Sequence, residues 1–113
     1  MDCIFCKIVA GDIPSKKVYE DEYVYAFYDI APQAKIHVVA IPKEHIAQCA
    51  DDINESNSHV IAKIFEAIPK IAQNAGIDGG YRIVNNCGAN ACQSVSHIHF
   101  HILGGEQLSE RMA

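Results

Sequence analysis

His97-Ile98-His99-Phe100-His101-Ile102-Leu103 alternates imidazole with apolar side chain. Successive residues of a β-strand point to opposite faces, so this period of two predicts a half-buried strand. Ile98, Phe100 and Ile102 then face a core. His97, His99 and His101 line up on the other face, and half of the chain's six histidines lie in this row. The row is the candidate site of chemistry.

Strand geometry limits what the row can do. Residues i and i+2 lie roughly 6.8 Å apart and i and i+4 about 13 Å. Zinc holds an imidazole nitrogen at about 2.0–2.1 Å. One ion can therefore take two neighbours at most, and at least one histidine needs a separate task.

Composition narrows the function classes. The chain has 113 residues, enough for one domain spanning 1–113 with a real core. Nine basic residues stand against fourteen acidic ones, for a net charge of −5. No Lys/Arg block is present, so a nucleic-acid partner has no electrostatic support. No apolar run approaches the ~18 residues of a membrane span, and the start lacks a secretory pattern. Five cysteines form no even disulfide framework, which favours thiols or metal ligands in a reducing compartment. The expectation is a cytoplasmic chain with no nucleic-acid or membrane partner.

Outward from the histidines, Tyr81–Asn86 reads as a strand, joined to them by the small, polar loop Cys87–Ser96. Two such strands pair most simply as antiparallel neighbours. Upstream, Ser56–Ala75 is one long helix: Val60, Ile61, Ile64, Phe65, Ile68, Ile71, Ala72 and Ala75 recur at helical spacing until Gly76. Pro69 interrupts the composition but not the spacing, so a kink is expected there. The apolar stripe is wide, enough to cover a sheet and to meet a second subunit. Nearer the start, Ile36–Pro42 is a strand, and Val18-Tyr19 with Tyr23–Asp29 makes a hairpin around Glu20-Asp21-Glu22. Cys3–Ala10 is a short helix closed by Gly11, with Ile4, Phe5 and Ile8 facing inward. The last eight residues carry little pattern.

The loop Asn85–Ser94 supplies small residues that let backbone N–H groups approach an anion, and Ser94 adds a hydroxyl. Beside three histidines, such donors suit phosphate. A neutral imidazole is a competent nucleophile at phosphorus, and a flanking protonated one stabilises charge on the phosphoryl oxygens. His99, with a histidine on either side, is the natural nucleophile. Transfer through a phospho-histidine splits one difficult displacement into two.

Gln93-Ser94-Val95-Ser96-His97-Ile98-His99-Phe100-His101-Ile102-Leu103-Gly104-Gly105 resembles the signature of the histidine triad nucleotide-binding family. The likeness extends to Asp29–Ala34, His37, Ile41–His45 and Tyr81–Asn86, and is closest to the nucleoside phosphoramidate hydrolase branch. The resemblance implies an α+β fold: a five-stranded antiparallel sheet, one short N-terminal helix and one long helix. It also implies a homodimer whose sheet runs on across both subunits. The implied reaction cleaves purine nucleoside 5′-monophosphoramidates and related adenylates through a nucleotidyl-histidine. Position by position, His99 matches the nucleophile. His101 and His37 match histidines near the α-phosphate and leaving group, and the His97 carbonyl would orient the nucleophile. Ser94 and Asn86 match phosphate-side hydrogen bonders, with Gln93 and Val95 beside them, and Asp29 matches the ribose ligand. Ile4, Phe5, Ile8, Phe27 and Ile30 match the walls of a slot for the purine of AMP or GMP.

Cys3-x-x-Cys6 alone is half a zinc site, since zinc takes four N/S ligands. In metal-binding relatives the other two match His45 and His97, so the resemblance implies a structural zinc on Cys3, Cys6, His45 and His97. Cys49, Cys87 and Cys92 remain as free thiols. The chain lacks the Trp/Pro-containing tail of many phosphoramidate hydrolases and ends Leu108-Ser109-Glu110-Arg111-Met112-Ala113. That difference keeps two alternatives open: a dinucleoside polyphosphate hydrolase, and a nucleotide-binding or interaction module without catalysis.

Overall fold

A computed structural model describes residues 3–112. Its elements are α1 (Ile4–Ala10), β1 (Lys17–Glu20), β2 (Val24–Tyr28), β3 (Ile36–Pro42), α2 (Ser58–Ala75), β4 (Tyr81–Val84) and β5 (Phe100–Gly104). The strands form one five-stranded sheet in the order β1-β2-β3-β5-β4, every neighbouring pair antiparallel. This is the α+β architecture expected of the sequence.

The central strands are apolar on both sides because both faces of the sheet are covered. On one face Val24, Ala26, Val38, Ala40, Ile98, Phe100 and Ile102 pack with Ile64, Ile68 and Ile71 of α2. On the other, Tyr25, Phe27, Val39 and Ile41 pack with Phe5 and Ile8 of α1. Burying such a row of aliphatic and aromatic side chains stabilises the fold by about 1.5–3 kcal/mol per side chain. Both helices end as the sequence predicts, with Gly11 and Gly76 in left-handed backbone at φ 85° and 76°. α2 runs unbroken through Pro69, which sits on its exposed side, where water can serve the carbonyl that loses its helical donor.

Two expectations change. The histidine strand is shorter than the alternation suggests: the ladder begins at Phe100, and His97–His99 lie outside it. Ala40 pairs Phe100, so the next rung would need Pro42, which has no N–H to give. Ile98 donates instead to the Ala47 carbonyl at 3.0 Å. The alternation of faces persists regardless, with Ile98 on the α2 side.

The second change concerns the C-terminal residues, which are anchored despite their lack of pattern. Arg82 on the edge strand β4 donates to the Ser109 carbonyl at 2.5 Å and the Arg111 carbonyl at 3.4 Å. The glycines that precede them are sterically required. A Cβ on Gly104 would stand 2.6 Å from the Ile77 side chain, and Gly105 has φ 83° with Ile36 close by.

Candidate active site

The row of histidines does not face solvent. α1 lies across it, and the Phe5 ring sits edge-on to His99 and His97 at centroid distances of 5.1 and 5.8 Å. His97 and His99 are 0% and 2% exposed, while His101 is half-buried. Hydrogen-bond partners then assign each ring its tautomer and its task.

His97 Nε2 lies 2.9 Å from the Pro42 carbonyl and so carries the proton. Its bare Nδ1 faces Cys3 Sγ at 3.4 Å and Cys6 Sγ at 3.6 Å, and His45 Nδ1 lies 3.5 Å from Cys6 Sγ. All four donor atoms fall within 4.8 Å of one another. Tetrahedral zinc, with Zn–S about 2.3 Å and Zn–N about 2.0–2.1 Å, requires S···N edges of about 3.5 Å. The donor set fits that ion, and the Pro42 carbonyl supplies the usual outer partner of a ligating histidine. Burial, and then the neighbouring Cys3, raise the Cys6 thiol.

His99 donates from Nδ1 to the His97 carbonyl at 2.8 Å, which leaves Nε2 as a bare lone pair. No fully buried side-chain nitrogen or oxygen lacks a partner among the described residues, so this unpartnered Nε2 is not sealed from solvent. Burial pulls the His99 pKa down, against the carbonyl that holds its Nδ1–H, so the ring is neutral and nucleophilic near pH 7. Asn85, which the sequence reading passed over, donates from Nδ2 to the His99 carbonyl at 2.8 Å. Nothing in a single sequence separates Asn85 from its neighbour Asn86.

His101 and His37 form a relay. The Gln33 backbone N–H donates to His37 Nδ1 at 3.0 Å, so His37 carries its proton on Nε2. That nitrogen lies 2.9 Å from His101 Nδ1, which must accept, so His101 carries its own proton on Nε2. Asp29 Oδ2 stands 3.5 Å from His37 Nε2, while Oδ1 accepts from Ala31 N–H at 2.8 Å. One carboxylate thus closes a turn and faces the relay. Burial lowers both rings, His101 to about 4, with His99 and His37 adding to the effect and Asp29 opposing it.

The remaining predicted residues divide by exposure. Phe5, Ile8 and Phe27 are buried packing residues, with the Phe5 and Phe27 rings 5.7 Å apart. Ile4 and Ile30 expose apolar surface, Ile30 completely, and Val95 is half-buried against the α1 cluster. Gln93 is occupied internally: Oε1 accepts from Gly88, and Nε2 donates to Gln48 and Val95 carbonyls. It shapes the loop. Asn86 Nδ2 donates to the Ala91 carbonyl at 2.8 Å, while the exposed Ser94 hydroxyl has no hydrogen bond among the described residues. A concavity of about 540 Å³ lies elsewhere, lined by Lys17, Tyr19, Glu20, Asp21, Glu22, Lys43 and Asn74 among others. Glu20 there pairs with Lys17 and Lys43.

Residues 2–113 match the family model described as scavenger mRNA decapping enzyme, C-terminal binding. Among solved structures, a HIT family hydrolase from Clostridium thermocellum is 46% identical with a TM-score of 0.93, covering 99% of this chain and 97% of that one. A histidine triad protein from Clostridium difficile is 46% identical with a TM-score of 0.92, over 98% and 96%. The protein named Hit from Bacillus subtilis is 47% identical over 105 residues, 90% of this chain and 70% of the relative. Three imidazoles sorted by their hydrogen bonds on this sheet, and relatives that match nearly end to end, agree: the chain belongs to the histidine triad (HIT) family.

Proposed function

We propose that this chain is a nucleotide-binding hydrolase that cleaves purine nucleoside 5′-monophosphoramidates and related adenylates. The observation that carries the reading is the lone pair on His99 Nε2, left free by the Nδ1–H bond to the His97 carbonyl, with the His101 ring beside it. His99 Nε2 attacks the α-phosphorus, the N–P bond forms, and the bond from phosphorus to the leaving nitrogen breaks. A phosphoryl anion beside the relay offsets the burial that keeps His37 and His101 neutral. The pair therefore takes up a proton with the substrate and passes it through His101 to the departing amine. Water then attacks the same phosphorus, giving up a proton to the relay as the His99 Nε2–P bond breaks, and the mononucleotide leaves.

In this reading Ser94 and Asn86 hold phosphoryl oxygens, with the loop shape fixed by Gln93. Asp29 accepts from the ribose diol, and Ile4, Ile30 and Val95 offer apolar surface to a purine such as that of AMP or GMP. Cys3, Cys6, His45 and His97 hold a structural zinc, whose task is to pin α1 over the triad. Phe65 on α2 and Tyr81 and Ile83 on the edge strand expose apolar surface that suits a homodimer with a sheet continued across two subunits. Five free cysteines suit a cytoplasmic setting.

A second reading, hydrolysis of dinucleoside polyphosphates, draws support from the decapping-enzyme description of the matching family model. One comparison separates them: turnover of an adenosine phosphoramidate and of a diadenosine polyphosphate, with His99→Asn as control. Faster phosphoramidate turnover, lost in the variant, supports the proposal. Preference for the dinucleotide overturns it in favour of the second reading. Nucleotide binding without turnover of either overturns both, leaving a binding module.

A further inference from the structure

Two cysteines outside the triad and the zinc set meet in space. Cys49 precedes the 3-10 turn Ala50–Asp52, and Cys87 lies in the loop after β4. Their sulfurs and an Asp51 carboxylate oxygen lie within 4.8 Å of one another. Both cysteines are half-buried, so a small reagent can reach them. Their two segments are already tied together: Gln93 Nε2 donates to the Gln48 carbonyl at 2.6 Å, and Ile98 N–H to the Ala47 carbonyl at 3.0 Å. The two segments that would be joined are therefore already held side by side. As a metal site the cluster is incomplete, because its third member is an exposed carboxylate and no fourth donor stands beside it among the described residues.

We propose that Cys49 and Cys87 are an oxidative modification site, closing to an intramolecular disulfide by exchange with a low-molecular-weight disulfide. The Cys87 thiolate attacks one sulfur of the reagent, forming a mixed disulfide and releasing one thiol, which takes the proton Cys87 lost. The Cys49 thiolate then attacks the Cys87 sulfur and expels the second reagent thiol, which takes the Cys49 proton. Two protein sulfurs are oxidised and one reagent disulfide is reduced to two thiols. The Cys87 sulfur beside it raises the Cys49 thiol, in keeping with Cys49 taking the second step. Asp51 beside both sulfurs favours a cationic reagent over an anionic one.

Closure links the chain before α2 to the residue following Asn85 and Asn86. The cross-linked loop contains α2 and β4, so oxidation restricts the unfolded chain strongly.

The test treats the full chain with cystamine, a cationic disulfide, and maps its peptides without reduction, alongside Cys92→Ser, Cys87→Ser and Cys49→Ser variants. The expected result is a link between the peptides holding Cys49 and Cys87. It persists in Cys92→Ser, disappears in Cys87→Ser, and is replaced in Cys49→Ser by a mixed disulfide on Cys87. Closure should raise the melting temperature by on the order of 10 °C, reversibly with dithiothreitol. A Cys87–Cys92 link, links only between molecules, or mixed disulfides that never resolve in the unsubstituted chain would each overturn the proposal. The mapping requires no nucleotide turnover, so its outcome is separate from the proposed enzymatic reading.

Discussion

Asn85 Nδ2 donates to the backbone carbonyl of His99 at 2.8 Å, so the residue that carries the bare imidazole is held from two sides. Its ring is fixed by the His97 carbonyl and its backbone by Asn85. Asn85→Ala leaves that buried carbonyl without its partner and costs about 1–3 kcal/mol of stability. If Asn85 positions His99, kcat for the phosphoramidate should fall about 10–100-fold with KM nearly unchanged. Steady-state kinetics and urea melts check it. A rise in KM at constant kcat would place Asn85 in substrate binding instead.

Acid should weaken the fold through the relay. His101 has a folded pKa of about 4 against an ordinary value of 6.5, and His37 is lowered in the same direction. Between those values the unfolded chain binds protons that the folded chain does not. Stability is therefore fully present above about pH 6.5 and is lost as pH falls toward 4. The His101 share is on the order of 1–3 kcal/mol, allowing for its partial exposure. Urea midpoints at pH 7 and pH 4.5 should differ less in His101→Asn than in the parent chain. Equal differences would remove His101 as a source.

Metal analysis of protein purified without chelator should return about one zinc per chain, held by the two sulfurs and two imidazoles. Removal by a strong chelator should lower the melting temperature by roughly 10 °C and loosen α1, measurable as faster amide exchange over Ile4–Ala10. Cys6→Ser should behave as the stripped protein does. An unchanged melt after stripping would leave the four residues as packing partners only.

Gly104→Ala tests the close approach beneath the end of β5. Its methyl would meet the Ile77 side chain at 2.6 Å and the Gly80 carbonyl at 3.3 Å. Overpacking of this kind costs typically 1–3 kcal/mol, readable as a lower urea midpoint. Gly105 adds a backbone reason, φ 83°, so Gly105→Ala should also destabilise. Gly104→Ala should cost less in an Ile77→Ala background, which lacks the Cγ2 that the new methyl would meet, and an equal cost would place the strain elsewhere.

What the amino-acid sequence determined by itself is what depends on near neighbours. The period of two from His97 to Leu103 sorted imidazoles from core residues, because Cβ direction alternates along extended backbone. The 3.6-residue stripe of α2 and the glycines after both helices set those elements, because capping and amphipathicity are local. Everything that gives each histidine its own task required tertiary structure. Cys3 meets His97 across a separation of 94 residues, and Cys6 meets His45 across 39. Phe5 closes over two rings that alternation alone leaves open to water, and a missing N–H at Pro42 ends the ladder before His99. Tautomers follow from single hydrogen bonds to Pro42, His97 and Gln33, and such partners are fixed only when the sheet and α1 pack. Side-chain direction is a property of the strand. Which nitrogen keeps its lone pair is a property of the fold.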